Sequence, residues 1–400
     1  MNQQAYKIKF SRRAGTWVAV SELTRGASKG SGGGTGASTS GAVLERFRVG
    51  GLKRLVAALV LGGMLPGPTW AQVVSDPGAG ANRPGVTTTA NGTDLVHIVK
   101  PNAAGLSHNK FSEFSPVGRG VVLNNSAQSG VSQIGGFAMG NPNLSAPAKA
   151  ALLEVTQQRS ALQGTLESFG GKLDVLVANP HGVTINGLTT LNVGRFGVST
   201  GQVLPQADGS VRLGVTQGDV LIERGGIDTK GLSVFDVVSR SIVINGPVSD
   251  SSAGGAKADV NMVAGLTTYD PRTGQYEVNA ANGSKAPALG ISGGALGAMY
   301  GRHIVLASTE SGVGVRHDGA ITSVNDIRVS ANGEVKLGGA VRATQGTMNI
   351  STPGSVTLNG AASAGQDVVL QGGSVRAGQV SAQRDVSVTA TGDVALNGAV

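Results

Sequence analysis

Beyond residue 320 the chain repeats itself every twenty residues or so, and this limits its fold more than any other feature. Aligning "DIRV", "TMNI", "DVVL" and "DVSV" puts their second residues at 327, 348, 368 and 386. A second series, "GEVKL", "GSVTL", "GSVRA" and "GDVAL", places valines at 335, 356, 375 and 394. Two series in step describe one unit with two short strands and Gly/Asn turns. Such a unit cannot bury its inner face alone, so copies must stack on one another. Strands rich in β-branched residues make that stack an all-β solenoid, a parallel β-helix with repeats of about 20 residues. At about 4.8 Å per strand, residues 72–400 are expected to form a rod on the order of 70–80 Å long.

The same strand text begins near Thr93. "DLVHIVKPN", "GVVLNNS", "LDVLVANPHGVTING" and "DVVSRSIVINGPV" are short β-branched runs bounded by Asn, Gly or Pro. The composition agrees: 64 glycines, 4% aromatic and 14% charged residues fit short strands and tight turns with a core of small branched side chains. One segment, "APAKAALLEVTQQRSALQG", reads differently. A helix is expected around 146–162, with Leu152, Leu153 and Val155 near one face, serving as a capping or flanking segment.

The formal charge of +8 invites a nucleic-acid reading, but its distribution does not support one. Residues 1–71 hold ten Lys/Arg and two Glu, which is the whole excess, and the remainder is neutral. No phosphate-binding surface and no nucleic-acid partner is expected. With no cysteine, thiol catalysis and Cys-based metal sites are excluded. "GLKRLVAALVLGGMLPGPTWA", residues 51–71, has a signal-peptide pattern: basic Lys53-Arg54, an apolar Leu55–Leu65 stretch, a Pro/Gly break and small residues at Thr69 and Ala71. The apolar stretch is too short to span a bilayer, so cleavage is expected between Ala71 and Gln72.

Ahead of that signal, "MNQQAYKIKFSRRAGTWVAVSELTRG" resembles the extended signal-peptide region of very large Gram-negative exported proteins. Residues 1–25 are assigned to it, and the Gly/Ser-rich 26–50 to a flexible spacer. From residue 93 to 250 the chain resembles the secretion domain of filamentous-haemagglutinin-like exoproteins, exported by two-partner secretion. The matching text is "NAAGLSHNKFSEFSPVGRGVVLNNS", "GNPNLSAP", "LQGTLESFGGKLDVLVANPHGVTINGL" and "FGVSTG", in that order.

The resemblance implies a right-handed β-helix over 72–310, followed by haemagglutinin-type repeats over 311–400. It implies recognition in the periplasm by an outer-membrane transporter with periplasmic transport domains. It also implies a protein released or displayed at the cell surface, acting on a host or neighbouring-cell receptor. Two motifs associated with secretion match Asn141-Pro142-Asn143-Leu144 and Asn179-Pro180-His181-Gly182. The second usually reads Asn-Pro-Asn-Gly. His181 replaces an amide that tolerates left-handed geometry, so a slightly different turn type is expected there. On physical grounds both are tight turns, because Pro fixes φ and Asn caps through its own side chain.

The sequence carries no recognisable catalytic motif. The histidines His97, His108, His181, His303 and His317 lack ligand spacing, and no metal or cofactor site is expected. "FGGKL" lacks the Ser/Thr of a phosphate loop. "GGIDTKG" begins like a calcium-binding repeat but does not recur. Asp219, Glu223 and Asp228 can neighbour one another on coil turns, although scattered carboxylates are usually solvated surface. The leading reading is a secreted adhesin that is not an enzyme. The stalk of a contact-dependent inhibition toxin stays open, as does, less strongly, a β-helical polysaccharide-active enzyme. The chain stops mid-repeat at "GDVALNGAV", as expected of a truncated product.

Overall fold

The computed structural model describes residues 6–11, 16–21, 72–252 and 255–398. The spacer 26–50, the signal peptide 51–71 and Ala71 itself lie outside the described residues. Two compact units divide the chain, Met1–Gly67 and Pro68–Val400. Within the first, Tyr6–Ser11 and Thr16–Ser21 pair as an antiparallel hairpin, Tyr6 opposite Ser21.

The second unit is a parallel solenoid. One face is a twelve-stranded sheet in which only the first strand, Gln72–Ser75, runs antiparallel, lying against Leu106–Ser115 as a cap. Both periodic series of the sequence stack in register. Ile327, Met348, Val368 and Val386 lie over one another on that face. Val335, Val356, Val375 and Val394 do so on the next. A third face carries Ile321, Val341, Ala362 and Val380. Each position meets its equivalent one coil away, so a repeat of hydrophobic residues becomes a column of buried ones. Ile327, Met348, Val356 and Val368 are fully buried. In the earlier coils Phe196 stacks on Phe235 across one coil step, ring centroids 6.0 Å apart.

The stack is shorter than the sequence suggests. Eleven parallel strands at about 4.8 Å per step make on the order of 50 Å. The difference lies before residue 280, where the chain leaves the helix three times to build two small sheets. Gly130–Ser132 and Gly136–Ala138 form an antiparallel hairpin. Gln202–Pro205, Val211–Val215, Thr267–Asp270 and Gln275–Val278 form a four-stranded antiparallel sheet. That sheet covers the outside of the twelve-stranded face, and Leu152, Val238, Val263, Leu213 and Tyr269 share an apolar cluster between them.

This cover overturns the helix expected around 146–162. Ala150–Val155 is a strand and Ser160–Gly170 another. Leu153 and Val155 point into the solenoid core, while Leu152 faces outward under the added sheet. A strand buried on both faces loses its alternation and reads as a continuous apolar run. Parallel pairing with both neighbouring coils overrides the helix propensity of Ala, Leu and Glu. The described residues contain only one helical element, the 3-10 turn Gly80–Asn82.

Candidate functional site

The two Asn-Pro motifs, far apart on the chain, close the same turn with the same atoms. In the first, the Leu144 N–H donates to the Asn141 carbonyl at 3.2 Å, and the Asn143 N–H to Asn141 Oδ1 at 3.0 Å. In the second, the Gly182 N–H donates to the Asn179 carbonyl at 3.0 Å, and the His181 N–H to Asn179 Oδ1 at 2.9 Å. Each is a β-turn with proline at its second position, reinforced by an asparagine side chain mimicking one more turn of backbone.

Both asparagines are fully buried, and their amide groups reach into neighbouring coils. Asn141 Nδ2 donates to the carbonyls of Ile98 (2.8 Å) and Asn124 (2.9 Å). Asn179 Nδ2 donates to the Gln158 carbonyl (2.7 Å) and Ser160 Oγ (2.9 Å). Their own backbone N–H groups donate to Ser126 and Ser199 carbonyls. Each asparagine therefore shapes its turn with its oxygen and ties its coil to others with its nitrogen. Pro142, Asn143 and His181 are exposed beside them, while Leu144 anchors the first turn in the core.

His181 departs from the expectation of an altered turn. The left-handed residue of this turn is Gly182, at φ +100°, and His181 is not left-handed. Replacing an amide by imidazole therefore carries no backbone penalty, and the ring instead lies 3.2 Å from the Thr156 carbonyl. Gly182 is required by its positive φ. A Cβ there would also sit 2.4 Å from Arg159 Nη1.

Arg159 was not legible in the sequence. Its guanidinium bonds both oxygens of Asp219 (3.0 and 2.8 Å), Thr184 Oγ1 (2.9 Å) and the Val183 carbonyl (3.2 Å). It thereby clamps the coils on either side of the second motif. A bidentate arginine-carboxylate pair is well suited to that task because its fork fixes direction as well as distance. Asp219 is thus engaged, and Asp228 accepts from Ser251 Oγ at 2.6 Å. Asp219, Glu223 and Asp228 form no shared carboxylate centre. Among the described residues no group of His, Asp or Glu is arranged to hold a metal ion.

The hairpin entering the first motif was no more legible in the sequence. Its turn is held by the buried Glu167 carboxylate, which accepts from Ser132 Oγ (2.9 Å), the Gln133 N–H (2.8 Å) and the Ile134 N–H (2.9 Å). On it Val131 and Phe137 face each other across the strands, 77% and 60% exposed, with Met139 close by. Only the three-dimensional position of Glu167 distinguishes this apolar tip from an ordinary loop.

Residues 71–337 match the model of the TPS secretion domain, and residues 1–49 that of the extended signal peptide of the type V secretion system. The whole chain is 39% identical to the filamentous hemagglutinin of Bordetella pertussis, of which it spans 11%. It is 33% identical, over 88% of its length, to a toxin CdiA of Escherichia coli, of which it spans 12%. A crystal structure of a filamentous hemagglutinin secretion domain superposes with TM-score 0.68 at 38% identity, covering 79% of this chain and 99% of that one. The chain thus spans about a tenth of the length of the curated relatives it matches.

Proposed function

This chain belongs to the two-partner secretion family, exported to the cell surface or beyond by type V secretion, and from that premise we propose that its Asn-Pro turns are where export and folding meet. The observation carrying this reading is the paired architecture: one buried asparagine per motif, shaping an exposed turn with its oxygen and making two hydrogen bonds to neighbouring coils with its amide nitrogen. The family implies a partner transporter in the outer membrane. A transporter meeting the chain as it folds would find Pro142, Asn143 and His181 presented only after the neighbouring coils have docked. The leader 1–71 would be removed before residue 72, the secretion domain would span 72–310, and repeats would follow over 311–400.

The protein delivered by this domain is, in our reading, an adhesin of the filamentous haemagglutinin type, acting on a receptor at another cell's surface without catalysis by the described residues. The identity over the full length of this chain favours it. The toxins matched at 33% over nearly the same span favour the second reading, a delivery stalk. Sequencing the coding DNA downstream separates the two by what it encodes.

Export is tested in cells carrying the partner transporter, by immunoblotting culture supernatant against periplasm. Asn141→Ala and Asn179→Ala should stay in the periplasm or be degraded there. Normal secretion of both would reduce the motifs to ordinary turns.

A further inference from the structure

Between the outer face of the twelve-stranded sheet and the added four-stranded sheet lies a cavity of about 300 Å³. It exists because small residues stand where neighbouring coils carry large ones. Ala150 and Gly197 occupy outward positions next to Leu152 and Leu176, and Val211 and Tyr269 roof them over. A Cβ on Gly197 would reach Leu176 Cδ1 at 2.9 Å, so the hollow ends at that leucine.

The polar groups are arranged unequally around this apolar interior. Asp236 is saturated, taking hydrogen bonds from Arg195 Nε (3.0 Å), Tyr269 OH (2.7 Å) and Asn261 Nδ2 (2.8 Å). Asp174 accepts the Arg195 backbone N–H at 2.9 Å. Of the cations, Lys149 is the least committed: its stem lies over Gly105 and, among the described residues, it forms no ion pair. Arg195 pairs with Asp236 through Nε and donates from Nη1 to the Arg272 carbonyl at 3.2 Å, while its Nη2 has no hydrogen-bond acceptor among the described residues. Arg272 forms looser ion pairs, 3.5 Å from Asp208 and 3.8 Å from Asp270.

An apolar hollow with an unpaired lysine and the open edge of an arginine at its mouth suits a ligand that is apolar along its body and negative at one end. We propose that the cavity binds a single-chain amphiphile with an anionic head, such as an acyl carboxylate. Its tail lies between Ala150, Gly197 and Val211, and its head between Lys149 and Arg195. The site stands apart from the Asn-Pro turns, so it does not rest on their role in export.

The test is isothermal titration of the secreted chain with decanoate below its micelle concentration, and with decylamine, which has a similar tail and the opposite charge. Decanoate should bind at one site and decylamine should not. Ala150→Leu, which fills the hollow, should abolish binding. Lys149→Glu, which alters only an exposed side chain, should weaken it by about tenfold or more through charge reversal. Thermal melts check that both variants fold, and Lys149→Glu decides alone if Ala150→Leu does not. Absence of decanoate binding would overturn the proposal, as would equal binding of decylamine or wild-type affinity in the folded variants.

Discussion

His317 stands against Gly293 of the preceding coil so closely that a Cβ on the glycine would lie 1.9 Å from Nδ1 of the ring. The imidazole is fully buried in the solenoid, neither nitrogen has a hydrogen-bond partner, and Leu337 stacks on its other side. Burial pushes its pKa down to about 4, against weaker opposing pulls from Asp318 and the nearby Gly297 backbone. The folded state therefore prefers the neutral ring.

A pH dependence follows from that depression. Because the folded pKa lies below the unfolded one, the contribution of His317 is fully present above about pH 6.5 and is lost as pH falls towards 4. The loss is on the order of 3 kcal/mol at its full extent. Urea unfolding at pH 7.5 and pH 4.5 should show a drop that is smaller in His317→Leu. Leucine is the residue that the next coil already uses at this position. Equal drops in both proteins would exclude His317 as the source.

Gly293 and His317 should be energetically coupled. Gly293→Ala is expected to cost more than about 2 kcal/mol, because a well-packed core cannot admit a methyl group at that distance. In a His317→Ala background most of that cost should vanish. A double-mutant cycle measures the coupling, and additive effects would mean that the ring moves aside freely.

Removing either turn asparagine should destabilise more than loss of a cap alone. Asn179→Ala deletes two donors and one acceptor at a buried position, and Asn141→Ala does the same, for an expected 2–4 kcal/mol each, roughly. His181→Asn should be neutral in stability and export, since residue 181 is not left-handed. Gly182→Ala should be severe, from strained φ and the collision with Arg159. Denaturation midpoints of purified variants check all four.

The inward columns predict a local failure. Val356→Asp puts an unpaired charge where the side chain is fully buried between Val335 and Val375. Hydrogen exchange should accelerate across the adjoining coils while the Phe196–Phe235 region stays protected, because coupling runs mainly between nearest neighbours. Uniform acceleration along the solenoid would argue for one cooperative unit.

Processing has an optical signature. Both tryptophans, Trp17 and Trp70, precede Gln72, and three of the four tyrosines follow it. The chain of residues 1–400, expressed by itself and purified from the medium, should fluoresce as tyrosine alone. Tryptophan emission from it would place the cleavage elsewhere.

What the sequence determined by itself was whatever depends on a residue and its equivalent one coil away. The columns through Val335, Val356 and Val375 were readable because a solenoid turns a sequence period directly into spatial contact. The Asn-Pro turns were readable for a similar reason, since Pro and Asn act on their own backbone. The tertiary structure alone decided what covers the outer face. Leu152 is buried because Val211–Val215 and Thr267–Asp270, from distant parts of the chain, pair above it, and no local pattern announces that pairing. The added sheet also left the hollow above Ala150, and side-chain contacts between coils placed Arg159 over Gly182 and gave Asn141 and Asn179 their second roles. Parallel strands specify their inner partners by periodicity, whereas the outer face accepts any segment whose shape and polarity suit it. The chain had to fold before that choice existed.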